Sequence, residues 1–228
     1  MSIYSYVLPI LLIMLTGGVH AAGAAKIDFA IGDVVAVQPD GARRPLARGA
    51  EVMAGETVDT GSGRTQLRFT DGAMVSLQPQ TQFRIDAYEF KGEQEGNEKG
   101  FFSLLKGAMR TITGAVGKAD RKAYRLDTAV ATIGIRGTEY AVAYGKSITV
   151  TTNSGLIEVC NNAGCLLVEA GQSAYVADAN TPPVFTKGNA LDPLTQPPGP
   201  ATPGFSAGDS PGNIHAPQRP QGPYGPSY

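Results

Sequence analysis

Nucleophiles, general bases and metal ligands are scarce in this 228-residue chain, and their positions decide which chemistry is open to it. The two histidines, His20 and His215, lie near opposite ends, so the long middle of the chain holds none. That excludes Ser-His-Asp and Cys-His catalysis, imidazole-ligated zinc and histidine pH switching from a folded domain there. The two cysteines, Cys160 and Cys165, flank Asn161-Asn162-Ala163-Gly164, which reads as a four-residue hairpin loop. In an oxidising compartment two thiols at such a turn should pair, which leaves no nucleophilic thiol. Opposed strand positions permit the bond, since Cα atoms of a non-hydrogen-bonded pair lie about 4.5–5.5 Å apart. A loop this short removes little chain entropy, so the bridge should stabilise only modestly. The spacing is not that of a CxxC redox motif, and two thiolates without further nearby ligands do not make a metal site.

Few other catalytic arrangements survive. Ser103 and Lys106 could form a Ser-Lys dyad, but no supporting motif surrounds them. Carboxylate pairs such as Glu51 with Glu56, or Asp120 with Asp127, could serve glycoside hydrolysis, yet sequence spacing does not place two acids across a cleft. These read as solvated surface acids. Gly61-Ser62-Gly63 reads as a β-turn, and no phosphate loop or EF-hand pattern occurs. No catalytic, cofactor-binding or metal-ligating residue is assigned, and the chain is expected not to be an enzyme.

The most informative stretch is Ala131-Thr132-Ile133-Gly134-Ile135-Arg136-Gly137-Thr138-Glu139-Tyr140. It is a strand rich in β-branched residues, interrupted by glycines as strands are at bulges or close backbone approaches. Arg136, between Gly134 and Gly137, could bind a ligand, or its guanidinium could hydrogen-bond loop carbonyls and tie neighbouring strands together. Upstream the balance is basic, with Lys106, Arg110, Lys118, Arg121, Lys122 and Arg125 against Asp120 and Asp127. Lys118, Arg121, Lys122, Arg125 and Arg136 could form a basic face for an anionic envelope component such as a lipopolysaccharide phosphate or acidic glycan. The plainer alternative is a solvated face, neutralised in part by an acidic loop of Glu89, Glu93, Glu95 and Glu98.

The elements that would position these residues read as β almost throughout. Asp33–Val37 runs into the turn signal Pro39-Asp40-Gly41, and Asp71-Gly72 separates the alternating runs Arg64–Phe69 and Met74–Leu77, a strong hairpin signal. Alternation continues over 81–90, past a bulge. Further strands are expected over 139–144, 147–151, 156–160, 165–169 and 173–176, with glycine turns at Gly145-Lys146, Asn153-Ser154-Gly155 and Ala170-Gly171. Residues 101–116 could be strand or irregular, since Gly107, Thr111, Thr113 and Gly114 oppose a long helix. The fold class is all-β: a sandwich, barrel or solenoid-like roll.

One domain is expected, residues 26–186, long enough for a sizeable core. Before it, residues 1–25 carry no charged side chain and include the apolar run Val7–Leu15, too short for a bilayer span. Val19-His20-Ala21 fits a signal-peptidase site, so residues 1–21 are read as a signal peptide, with an uncleaved anchor as the rival. No cysteine stands at the site to carry a lipid. The chain is thus expected in the periplasm or medium, with no transmembrane span after cleavage. Residues 187–228 are rich in Pro and Gly and poor in large apolar residues, and read as a disordered tail. A formal net charge of −1 argues against nucleic-acid binding.

An ordered set of short motifs then points to a family. Gly32-Asp33-Val34-Val35, Leu46-Ala47-Arg48-Gly49, Val58-Asp59-Thr60-Gly61, the run Arg64-x-x-Leu67-x-Phe69-Thr70-Asp71-Gly72, Leu77-x-Pro79-x-Thr81, Leu105-Lys106-Gly107, Thr128, Ile135-Arg136-Gly137-Thr138 and Ala170-Gly171-Gln172 together resemble the FecR domain. The stretch from Leu104 to Lys118, followed by Ala131–Thr138, looks like the branch found as stand-alone secreted proteins. The resemblance implies an all-β domain, a solenoid-like β-roll or two-layer sandwich, without cofactor or catalysis. The best-understood members are iron-uptake sensors with a cytoplasmic anti-sigma segment, one membrane span and a periplasmic domain that responds to an outer-membrane receptor. This chain departs from that plan, having no such segment or internal span and a Pro-rich tail where the sensors carry a receptor-contacting module. What carries over is an expected envelope role as a protein-interaction or signalling module with a protein partner. The alternative is an envelope glycan or lipopolysaccharide binder acting through the basic face.

Overall fold

The computed structural model describes residues 23–92, 98–119 and 121–191. The proposed signal peptide, most of the proposed tail, and Glu93, Glu95 and Asp120 lie outside the described residues, as does the side chain of Arg121. Fifteen strands follow one another: β1 (Ala25–Ile31), β2 (Val35–Val37), β3 (Arg43–Pro45), β4 (Glu51–Val52), β5 (Thr57–Asp59), β6 (Arg64–Phe69), β7 (Met74–Leu77), β8 (Gln82–Glu89), β9 (Lys99–Ile112), β10 (Tyr124–Asp127), β11 (Thr132–Tyr144), β12 (Ile148–Asn161), β13 (Gly164–Glu169), β14 (Ser173–Val176) and β15 (Val184–Thr186). A single short helix, α1 (Ala115–Ala119), and one 3₁₀ turn (Arg121–Ala123) link β9 to β10. The chain is all-β, and no described helix is long and apolar enough to cross a membrane.

All fifteen strands belong to one hydrogen-bonded network, open at its edges, that doubles back on itself. The order β15-β14-β12-β11-β9-β7-β6-β1-β4 makes one face, and β13-β12-β11-β10-β9-β8-β5-β2-β3 makes the other. Strands β9, β11 and β12 belong to both. Residues 99–106 of β9 pair with β8, while 107–112 pair with β7 and β11. Similarly, 132–133 of β11 pair with β10 and 139–144 with β9. Each long strand changes its inward phase at the crossing: Phe102 and Leu104 then Met109, Ile133 and Ile135 then Tyr140 and Val142, Ile148 and Val150 then Ile157 and Val159. Side chains alternate across a strand, so such a flip requires an irregular residue.

A glycine with positive φ occupies each crossing: Gly107 (96°), Gly137 (56°) and Gly155 (78°). This region suits glycine because it has no Cβ to clash with the backbone. A Cβ on Gly107 would stand 2.4 Å from Thr81 Cα, and one on Gly155 would stand 2.6 Å from the carbonyl oxygen of Gly137. Asn153-Ser154-Gly155 is therefore a bend inside β12 rather than the turn its composition suggests. The reason is the partner strand: Gly137 opposite Gly155 lets the two backbones bend together, so the ladder resumes beyond it.

Buried threonines satisfy the backbone at these bends. Thr81 Oγ1 donates to Ala108 O and accepts from Ala108 N, both at 3.0 Å. Thr81 N in turn donates to Thr60 Oγ1 at 2.9 Å, and the Thr113 hydroxyl accepts from Thr138 N at 2.9 Å. Glu139 Oε1, at the β11 bend, accepts from Arg110 of β9 and from Asn153 of β12.

The core lies between the faces. Phe69 of β6 sets its ring edge-on 5.3 Å from Phe102 and tilted 5.1 Å from Tyr88, and Phe102 lies 5.5 Å from Phe83 and from Tyr124. Three tyrosines cross the gap with their hydroxyls. Tyr88 OH accepts from Asp71 N at 2.9 Å, and Tyr124 and Tyr140 share a 2.6 Å hydrogen bond in full burial. Burial raises the pKa of all three phenols. Beyond β15 the chain crosses the first face, where Ala190 packs on Ala108, Ala141 and Ala143 and its N–H donates to Thr151 Oγ1 at 2.9 Å. The Asp71-Gly72 and Pro39-Asp40-Gly41 hairpins form as their residues indicate. The Cys160–Cys165 disulfide is present, its cysteines directly opposite in β12 and β13. Asn161 and Gly164 also pair, so the turn between them has two free residues rather than four.

Two consequences can be measured. Gly155→Ala should cost roughly 2–4 kcal/mol in urea unfolding, from a positive φ combined with a backbone clash. Gly41→Ala shares the positive φ but meets no atom within 4 Å and should cost less. The raised phenol pKa values contribute stability that is complete below about pH 10, where unfolded tyrosine stays protonated. Above it, unfolded tyrosines ionise first and stability falls as pH climbs towards the folded values. Urea midpoints at pH 8 and pH 11 should therefore differ, and Tyr140→Phe should shrink the difference.

Candidate interaction surface

The sequence motifs divide once folded. Most of them build the bends: Thr60, Thr81 and Gly107 meet at one crossing, and Gln80, the one described non-glycine with positive φ, donates its amide to Gly61 O at 2.7 Å. Gln172 closes the β13–β14 turn by accepting from Glu169 N at 2.9 Å, and Thr128 closes the β10–β11 turn through Ala131 N at 3.0 Å. These positions are architectural.

Gly134 differs from them. It stands in the interior of β11, its φ is ordinary, and an added Cβ would meet nothing within 4 Å. Neither strain nor close packing requires glycine there, and glycine inside a strand costs about 0.5–1 kcal/mol relative to alanine. What the missing side chain leaves is space. Gly134 is part of the floor of a surface groove of about 610 Å³ whose lining includes Lys122, Arg136, Leu156, Glu158 and Leu167. Leu167 is 54% exposed and, with Leu156, supplies the apolar part of the groove's lining.

The basic residues separate. Arg136 is exposed, and its guanidinium has no hydrogen-bond or ion-pair partner among the described residues, so it does not tie strands together. Lys122 lines the same groove from the 3₁₀ turn, and Gly137 forms the bend beside it. Lys118 is exposed and lines a second depression with Asp71 and Glu98. Arg125 is engaged elsewhere, 2.6 Å from Asp127 and 4.7 Å over the Phe101 ring. Arg110 is held by Glu139, which Arg110 in turn keeps below the usual glutamate pKa.

The residue pairs that could have done catalysis are engaged as well. Ser103 Oγ donates to Asp86 Oδ2 at 2.6 Å and accepts from Arg84. Glu56 is ion-paired with Arg44 at 2.6 Å and Glu51 with Lys26 at 3.5 Å. Glu158 lies close to both cysteine sulfurs, but the disulfide occupies the thiols as ligands. The leucines and Glu158 of the groove were missed from sequence. The one available signal was Gly134, a glycine in a β-branched strand without a turn residue beside it.

The model of the FecR protein family matches residues 56–158, from the Glu56–Arg44 ion pair to Glu158 in the groove. No curated protein matches the chain. Two crystal structures from Parabacteroides distasonis, each described as a candidate anti-sigma factor, are similar to it at 16% and 17% identity with TM-scores of 0.47 and 0.45. They cover 59% and 57% of this chain, which in turn spans 60% and 58% of theirs.

If Gly134 serves the groove rather than the fold, Gly134→Ala should leave thermal stability unchanged or raise it, by up to about 1 kcal/mol. A loss like that of Gly155→Ala would assign Gly134 to the fold instead.

Proposed function

We propose that this FecR-domain chain is a non-enzymatic protein-interaction module of the bacterial envelope, exported to the periplasm or medium, that contributes to signalling by docking a partner protein in the groove over Gly134. The observation that carries this reading is the groove itself: open space above a strand glycine that the fold does not need, between partly exposed leucines and an unpartnered arginine. A rigid strand platform with a vacant apolar recess suits recognition better than chemistry. The FecR resemblance supports a regulatory role, and the chemistry of residues 1–21 supports export.

A glycan or lipopolysaccharide binder acting through a basic face draws less support. Arg110 and Arg125 are spent on Glu139 and Asp127, and Glu158 stands among the groove's cations, where it would repel a polyanion.

The reading is tested with a photo-crosslinking residue at Leu167, in the groove, and a control at Asp40, in the β2–β3 turn, followed by fractionation of intact cells. One recurrent envelope protein captured outside the cytoplasm at Leu167, and not at Asp40, is the expected result. Capture of polysaccharide alone, or of the same species at both positions, would reject it.

A further inference from the structure

The register of β11, β12 and β13 sets out the charges of the groove in rows. Arg136, Leu156 and Glu169 lie side by side in one row, and Gly134, Glu158 and Leu167 in the next. With neighbouring strands about 4.8 Å apart, Arg136 and Glu169 stand about 10 Å apart with Leu156 between them. The side chains of Arg136, Glu158 and Glu169 have no hydrogen-bond or ion-pair partner among the described residues. Elsewhere on the surface pairing is common, as in Arg68 with Asp28, Arg43 with Asp59 and Lys99 with Glu89. A concave, part-apolar recess thus has the unpaired Arg136 on the β11 side with Lys122 also in its lining, the unpaired Glu158 on β12, and the unpaired Glu169 beside it on β13.

Each ligand class meets this pattern differently. A polyanion would satisfy Arg136 but bring charge against Glu158 and Glu169. A purely apolar ligand would strip water from three ions and give nothing back. A second copy would set one concave surface against another and leave the recess unfilled. A ligand carrying both charges around an apolar centre satisfies every group.

We propose that the groove binds an extended peptide segment of the partner protein in a fixed polarity: its apolar side chain sits over Gly134 against Leu156, its carboxylate meets Arg136, and its cationic group faces Glu158 and, beyond it, Glu169. This rests on the protein-docking function given above and names the chemistry of the partner. Opposed charges fix register and orientation, while the apolar side chain supplies the buried contact.

The test pans a random displayed-peptide library against the full chain. Enriched peptides should share an acidic residue, an apolar residue and a basic residue, in one order common to all of them. Their affinity should fall about tenfold or more on Arg136→Glu, the range expected when one partner of a charge pair is reversed. Gly134→Leu, which fills the recess, should also abolish binding. Because that variant could be criticised as misfolded, its melting temperature is read alongside, and the exposed Arg136→Glu decides independently. The double reversal Arg136→Glu with Glu158→Arg should select peptides of opposite order. Enrichment of polyanionic peptides, binders indifferent to Arg136→Glu, no binders at all, or self-association lost on Gly134→Leu would each overturn the proposal. A protein crosslinked at Leu167 despite a failed panning would reject the peptide chemistry and keep the docking function; failure of both would reject both.

Discussion

Three neighbouring strands have to pass from one face of the molecule to the other at the same level, and everything else in the fold is arranged around that passage. A strand that crosses must shift its side-chain alternation by one residue, which leaves backbone groups without ladder partners in the middle of a core. Glycine provides the geometry at 107, 137 and 155, and buried threonine hydroxyls at 60, 81 and 113 supply the missing hydrogen bonds. Unmade bonds of this kind each cost on the order of 1–3 kcal/mol, so glycine without threonine would not suffice. The short motifs scattered along the chain are therefore one device seen in pieces.

That division sets the bend glycines apart from Gly134. Gly107, Gly137 and Gly155 have positive φ, and added Cβ atoms at Gly107 and Gly155 would strike backbone. Gly134 has neither property, although it sits three residues from Gly137 and looks the same in the sequence. Arg136 projects from the strand segment ahead of the bend, and Gly137 turns the backbone away immediately after it. The bend leaves the arginine exposed at the end of its row, while the rigid ladder beneath fixes its distance from Glu158 and Glu169.

Much of the fold was legible in the residues. The Asp71-Gly72 hairpin, the alternation of β6 to β8 and the paired cysteines follow from local chemistry, because turn residues and period-two patterning act within a few positions. Strands of two or three residues, such as β3 to β5, have no period to read. The Asn153-Ser154-Gly155 bend was read as a turn because a glycine with positive φ serves either, and only Gly137 across the ladder decides. The basic block from Lys106 to Arg136 looked continuous, yet Arg110 finds Glu139 and Arg125 finds Asp127. What remained unpaired was fixed by cross-strand register, which no local pattern states.

The sharing of β9, β11 and β12 also governs how the chain reaches this state. The chain switches repeatedly between faces, and β1 waits for β4 and β6 before it has any partner. Neither face can be completed while the other is absent, so no half of the molecule is available as a stable folding intermediate. Closing such distant pairings before they are rewarded places the domain among slow folders, with times on the order of milliseconds to seconds. The same architecture makes opening of the shared strands collective: a fluctuation that frees β11 or β12 must also unzip the opposite face, and of the groove strands only β13, hydrogen-bonded to β12 alone, escapes that coupling. The floor of the groove, on β11 and β12, is thereby kept out of the local breathing that loosens most surface loops.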